Sequence, residues 1–286
     1  MEKKPEAGSE PVGPFPQAAR ERGGPVLFSS AEQKQRGTVS ITRVLWRGLK
    51  ALWAPLAGER RCPACAAVYE TREQARDLFC PDCSALLPRR EKGYCPDCGE
   101  PAAWPELPLI PCLRCLEQPP LWSGFFFHSL HQGLLQRLLL SLKFHGHVSL
   151  AHLLGCLLAR HPDLADVHVD CVVPVPLHKS RLARRGYNQA LELARPLAVR
   201  LQRPCRPNLL TRVRATPPQT GGSLAVRQQN TWGAFAGSPD ALGKRILLLD
   251  DTVTTGSTLR AATAALLEAG ASSVRVAAVS RTARRL

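Results

Sequence analysis

Two sets of residues carry chemistry by their type and spacing. Cys62 and Cys65, Cys80 and Cys83, Cys95 and Cys98, and Cys112 and Cys115 form four CxxC pairs. Such a turn aims two thiolates at one ion, and two turns complete a tetrahedral zinc shell. Fourteen residues separate the first two pairs and thirteen the last two, which predicts tandem zinc ribbons holding two structural zinc ions. A cross-braced pairing, first with third and second with fourth, uses the same ligands and stays open at this level. Thiol–disulfide chemistry fits less well, because the pair is repeated four times and no thioredoxin-like strand precedes it.

The second set is ILLLDDTVTTGSTL at 246–259: an apolar strand, two acids at its end, a Thr/Ser/Gly loop and a helix. Ligands of parallel sheets sit beyond the carboxyl ends of strands, and a helix start preceded by small residues offers free N–H groups to phosphate. Thr252, Thr254, Thr255, Gly256, Ser257 and Thr258 therefore read as a monophosphate cradle. Asp250 and Asp251 stand where vicinal hydroxyls of a sugar 5-phosphate would donate to them. The loop lacks the lysine of a Walker A motif, which excludes that kind of nucleotide triphosphate site. Upstream, Lys179, Arg181, Arg184 and Arg185 follow a short apolar run at 172–175, and three arginines within five residues supply charged forks that match phosphate.

These residues need elements to hold them, and the 286-residue chain, 44% apolar and 21% charged, is long enough for about two domains. Leucines at 134–142 and 150–158 recur at helical spacing and mark core stripes. Apolar runs at 172–175, 246–249 and 274–279 alternate with helices starting near Asn188 and Gly256, an order that predicts a parallel α/β sheet. Residues 1–38 have the composition of a disordered tail. Residues 39–60 read as a basic amphipathic helix that packs on the next domain, or less readily meets a membrane surface or partner. Residues 61–120 make the zinc block and 121–286 the α/β domain. No apolar run is long enough to span a membrane, and the first residues lack a secretory signal, so a cytoplasmic, reducing setting is expected. Net charge is +4 over 1–60, −2 over 61–120 and +13 over 121–286; the C-terminal half should attract polyanions. Phe125 to Phe127, Tyr187, Trp232 and Phe235 are candidates for stacking on bases or, more commonly, for core.

The string at 246–259 resembles the phosphoribosyl pyrophosphate (PRPP) motif of type I phosphoribosyltransferases. Together with the cysteine pairs, VPVPLHKSRLARRGYNQ at 173–189 and RVRATPPQTGGSLAVRQQN at 212–230, the chain is similar to the ComF family over about residues 60–282. The resemblance implies a type I phosphoribosyltransferase fold with an N-terminal zinc-ribbon domain of the four-cysteine type. It makes 173–179 the pyrophosphate loop, with Lys179, Arg181, Arg184 and Arg185 on its charge, and 212–227 a closing loop that carries Arg214, Gln219 and Arg227. It also implies PRPP with Mg²⁺ or a nucleotide as ligand, a link to DNA uptake and competence, and single-stranded DNA and uptake proteins as partners. Pro196 departs from a regular helix and should bend it. Two functional readings follow: a phosphoribosyltransferase whose acceptor the sequence does not name, and a non-catalytic DNA-handling module on the same scaffold.

Overall fold

A strand rich in Val, Ile and Leu with no polar alternation must be covered on both faces, and this is how the central sheet is built. The computed structural model describes residues 59–70, 78–215 and 233–283. The expected tail, the amphipathic helix short of Glu59, Gln219, Arg227 and Trp232 lie outside them. Strands β1 (Glu59–Arg61) and β2 (Val68–Glu70) form an antiparallel hairpin in the first ribbon. The main sheet contains β3 (Phe125–Leu130), β4 (Cys171–Pro174), β7 (Arg245–Val253) and β8 (Ser273–Arg281) in the order β3-β8-β7-β4, all parallel. The expected parallel sheet with flanking helices is thus present.

Register sets the position of the site. β4 pairs with β7 from Cys171 beside Ile246 to Pro174 beside Leu249. β7 then runs on to Val253 alongside β8. Asp250 to Val253 therefore stand past the end of β4, where the edge of β7 opens. A separate antiparallel ladder pairs β5 (Leu210–Arg212) with β6 (Phe235–Gly237).

Helices α1 (Pro81–Ala85) and α2 (Leu113–Glu117) follow knuckle cysteines in the two ribbons. α3 (Gly133–Phe144), α4 (Ser149–Leu158), α5 (Pro162–Ala165), α6 (Lys179–Arg185), α7 (Gln189–Leu201) and α8 (Ser257–Glu268) belong to the larger domain. On one face of the sheet Leu139, Leu154, Leu193 and Leu197 cover Leu247 and Leu249, and Cys62, Phe79 and Cys80 of the first ribbon join this core. On the other face Leu259, Ala262 and Leu266 cover Ile246 and Leu248, and Tyr94, Cys95 and Trp122 of the second ribbon join them. The two ribbons therefore contribute to opposite faces of one sheet.

Three local features of the sequence take definite form in the fold. Phe125 and Phe127 are buried in β3, and Phe235 is buried in β6, so they are core aromatics, the commoner of the two readings; Phe126 and Tyr187 are half-buried. The segment 179–185 forms α6 because KSRLARR contains no Gly, Pro or β-branched residue; the His178 ring accepts from the Ser180 N–H, and Gly186 ends the helix at φ +83°. α7 runs unbroken past Pro196, whose ring lies where a Cβ on Gly155 would come within 2.5 Å. Glycine at 155 is what lets α4 approach α7 this closely.

His128 ties β3 to the first ribbon: its Nε2 lies 3.0 Å from the Leu87 carbonyl, and burial pushes the imidazole down to about 4. The neutral ring donates Nε2–H to that carbonyl. Because the folded value lies below the ordinary value near 6.5, the unfolded chain takes up a proton that the folded chain refuses as pH falls. Stability is complete above about 6.5 and is lost toward pH 4, by roughly 3 kcal/mol. Burial pushes His131 and His161 the same way. Urea midpoints from pH 7 to 5 should show a shallower acid loss for His128→Gln than for the native chain; parallel curves would contradict this.

Candidate functional site

Among the described residues, the cysteines gather in sequential order: Cys62, Cys65, Cys80 and Cys83 in one cluster, Cys95, Cys98, Cys112 and Cys115 in the other, with the thiol sulfurs of each within 4.8 Å of one another. The cross-braced alternative is thereby excluded. Tetrahedral zinc with Zn–S near 2.3 Å needs sulfurs about 3.8 Å apart; Cys65 and Cys80 lie 3.7 Å apart, as do Cys98 and Cys112. The donor set fits zinc. Burial raises the Cys62 thiol, but N–H donors from Cys80, Ala64 and Cys65 outweigh it and bring it down to about 7. A hydrogen bond from Cys98 holds Cys95 at about 4 against its burial. One thiol in each cluster is thus the readier thiolate, while burial pushes Cys80, Cys83 and Cys115 up and the Cys95 sulfur, then burial, push Cys98 up.

The cradle follows β7 directly. Gly256 has φ +79°, which turns the chain into α8. Thr255 Oγ1 accepts from the Ser257 N–H at 3.3 Å and lies 2.9 Å from Ser257 Oγ. Thr255 and Ser257 are buried, Thr252, Gly256 and Thr258 half-buried, and Thr254 exposed. The loop surrounds the start of a twelve-residue helix, whose first N–H groups have no partner within the helix.

The acidic pair is asymmetric. Asp250 Oδ1 accepts from the Asp251 N–H at 2.9 Å, and burial, then the Asp251 charge, push the Asp250 carboxyl well above the usual range. Asp251 is buried and meets Lys143 Nζ at 2.7 Å. Lys143 also donates to Thr252 Oγ1 at 3.1 Å, Ser280 Oγ donates to Thr252 Oγ1 at 3.2 Å, and His131 Nδ1 lies 2.9 Å from Ser280 Oγ. A continuous polar chain therefore runs beneath the mouth from the loop after β3, through β8 and β7, to α3.

Cations border the other side. Arg181, Arg184 and Arg185 share one face of α6 by their i, i+3 and i+4 spacing. Arg185 Nη1 donates to Gln189 Oε1 at 2.6 Å, and its guanidinium lies 5.7 Å from the Phe144 ring centre. Burial, then the charges of Arg185 and Arg184, push Arg181 down; burial and the Arg181 charge do the same to Arg212, while Asp250 pulls Arg212 up. Cations that destabilise one another beside a carboxylate favour an arriving anion. Lys179 and Arg184 are exposed on α6. Arg214 follows β5, its N–H facing the Ala234 carbonyl; Gln219 and Arg227, the rest of the expected loop set, lie outside the described residues.

A family model described as the phosphoribosyl transferase domain matches residues 182–285. The chain is 36% identical over 209 residues to the DNA utilization protein YhgH of Salmonella typhimurium, covering 71% of this chain and 90% of that one. It is 31% identical over 218 residues to competence protein F of Haemophilus influenzae, covering 72% and 92%. The chain belongs to the ComF family. A solved glutamine PRPP amidotransferase of B. subtilis matches at 25% identity with TM-score 0.32, over 45% of this chain and 25% of its own length.

Within this ComF chain, sequence reasoning missed Lys143, His131, Ser280 and Arg281. Lys143 follows the last leucine of a core stripe and lies 109 residues from Thr252, so only the fold reveals the pairing. Arg281 did leave a signal: it ends the run VAAVSR, in which no other residue is charged, and is 1% exposed, and a charge in a buried strand needs a partner. No helix among the described residues is long and apolar enough to cross a membrane.

Proposed function

We propose that this protein binds PRPP, or a nucleotide phosphate of similar shape, at the mouth formed by 250–258, α6 and Arg212, and that it does so in the handling of DNA. The observation that carries the reading is the co-location of three chemically distinct parts: a hydroxyl-lined helix start, an acidic pair and a strained set of arginines. The cradle takes the 5-phosphate on N–H and hydroxyl donors. Asp250 and Asp251 accept from the ribose hydroxyls, and Lys143 balances the charge of Asp251 during ligand exchange. Arg181 and Arg185, with Arg212, receive the pyrophosphate. Asp250 and Asp251 are the hard oxygen donors that would hold Mg²⁺ arriving with the ligand, and the ion would supply positive charge that neutralises the leaving group. In turnover, the bond from the anomeric carbon to pyrophosphate breaks as an acceptor nucleophile bonds to that carbon, and the released charge falls on the arginines. Pyrophosphate release with a panel of bases and nucleotides tests for this turnover; its absence while PRPP still binds selects the non-catalytic reading.

The names of the relatives, DNA utilization protein and competence protein F, support DNA as a partner, and we take single-stranded DNA, with proteins of DNA uptake beside it, as the form to test. The +13 balance of 121–286 supplies the attraction. Fluorescence anisotropy of a labelled oligonucleotide should show log K falling with log salt by about 0.7 per phosphate contact. Arg184→Ala with Arg185→Ala should reduce that slope by about 0.7 per lost contact, leave zinc content unchanged, and act at a site where PRPP competes. Salt-insensitive binding would contradict this part of the proposal.

A further inference from the structure

We infer that the second thiolate cluster and the phosphate cradle act as one mechanical unit joined by Arg281, so that zinc at Cys95, Cys98, Cys112 and Cys115 sets the shape of the cradle while zinc at the first cluster does not. The inference deepens the anion-binding reading and rests on it for its functional consequence. Arg281 is almost fully buried at the end of β8. Its Nε donates to the carbonyl of the zinc-ligating Cys98 at 2.9 Å, and its Nη2 pairs with Glu100 Oε2. From the same guanidinium, Nη1 donates to the carbonyls of Val253 at 3.2 Å, Thr282 at 2.6 Å and Thr254. One planar fork thus grips a zinc knuckle on one side and the first residues of the cradle on the other.

Two further ties run in parallel. Trp122 Nε1 donates to the carbonyl of Asp97, inside the Cys95–Cys98 knuckle, at 2.6 Å, and the far edge of its indole lies where a Cβ on Gly256 would be 3.6 Å away. Arg260, in the first turn of α8, donates to the carbonyls of Pro119 and Gln118, just past the second cluster, at 3.3 and 3.4 Å. The first cluster has a different setting: Cys62, Cys80 and Cys83 pack into the core of the opposite face with Leu139 and Leu154. A displaced Cys98 carbonyl would withdraw an acceptor from a buried guanidinium, which must then move or take another partner, carrying Thr254 with it. Arg281 is accordingly a positioning residue, and the coupling is reciprocal: ligand in the cradle should retain the second zinc.

The test uses the full-length chain and variants that each disable one cluster, Cys65→Ser for the first and Cys112→Ser for the second, with Arg281→Lys as a third that retains charge but loses the fork. Hydrogen exchange read by mass spectrometry should quicken about tenfold in peptides spanning 250–258 for Cys112→Ser and Arg281→Lys, and stay within about twofold of the native chain for Cys65→Ser. Peptides of 189–201 report any global loss of structure. In the native chain, Mg²⁺ and PRPP should slow chelator-driven alkylation of Cys95 to Cys115 about tenfold and leave Cys62 to Cys83 unchanged. Equal cradle exchange in the two cysteine variants, or equal protection of both clusters by bound ligand, overturns the coupling. Calorimetry keeps the two claims separate: selective exchange without PRPP binding supports the mechanical unit and removes the PRPP reading. If the second-cluster variants fail to fold, equal protection or no protection in the native chain with ligand bound still overturns the inference.

Discussion

Replacing Asp250 and Asp251 together by asparagine is expected to weaken PRPP binding at least 100-fold. Each carboxylate that accepts from a ribose hydroxyl in a partly buried site contributes about 1.5–3 kcal/mol, and a loss of about 2.7 kcal/mol is 100-fold. The effect on the fold should differ between the two positions. The Asp250 carboxyl is pushed up by burial and by the Asp251 charge, so folding favours its protonated form and stability falls as pH rises through the interval between the unfolded and folded values. Asp250→Asn alone should therefore raise the melting temperature at neutral pH while it lowers affinity. Asp251→Asn should lower both, because it leaves Lys143 beside an uncharged partner in a site where its side chain is 18% exposed. Calorimetry and thermal unfolding of the three variants check this; equal affinity in the double variant would remove the acidic pair from the site.

Removing zinc is expected to have the largest effect on stability. Elemental analysis of reduced protein should find two zinc ions per chain, one for each cluster of four cysteines. Structural zinc in small domains contributes on the order of 10 kcal/mol per site, against a typical net stability of about 5–15 kcal/mol. The ribbons also share their cores with the sheet: Cys62, Phe79 and Cys80 on one face, Tyr94, Cys95 and Trp122 on the other. Loss of metal therefore reaches beyond 59–117, and an excess of a strong chelator should lower the melting temperature by roughly 15 °C or more. One zinc per chain, or a melting curve unmoved by its removal, would contradict two structural sites.

Much of this architecture is legible in the sequence because the relevant signals are local. Four CxxC pairs define two donor sets, and the run from Ile246 to Leu259 contains a strand, its polar end and a helix start in consecutive residues. The choice between sequential and cross-braced zinc was not local, since both use the same eight thiols; it took the 3.7 Å approach of Cys65 to Cys80 and of Cys98 to Cys112 to decide it. Phe125 to Phe127 read more readily as core than as a stacking surface, but an aromatic run has no period that separates the two. Burial on β3 resolved it for Phe125 and Phe127, while Phe126 is half-buried. Lys143 and Arg281 act across 108 and 183 residues, on Asp251 and Cys98 respectively, and parallel topology alone brings such partners together. Arg281 stands as a charge at the end of an apolar run, but its burial and its partners emerge only in the fold.

The most direct test of the anion site is calorimetric titration of the full native chain with PRPP in the presence of Mg²⁺, followed by displacement with ribose 5-phosphate and with pyrophosphate in separate runs. The account predicts one site per chain, competition from both fragments because cradle and arginines are separate parts of one mouth, and loss of binding in Asp250→Asn with Asp251→Asn. A folded, two-zinc protein that takes up no PRPP, or whose binding neither fragment displaces, would contradict it.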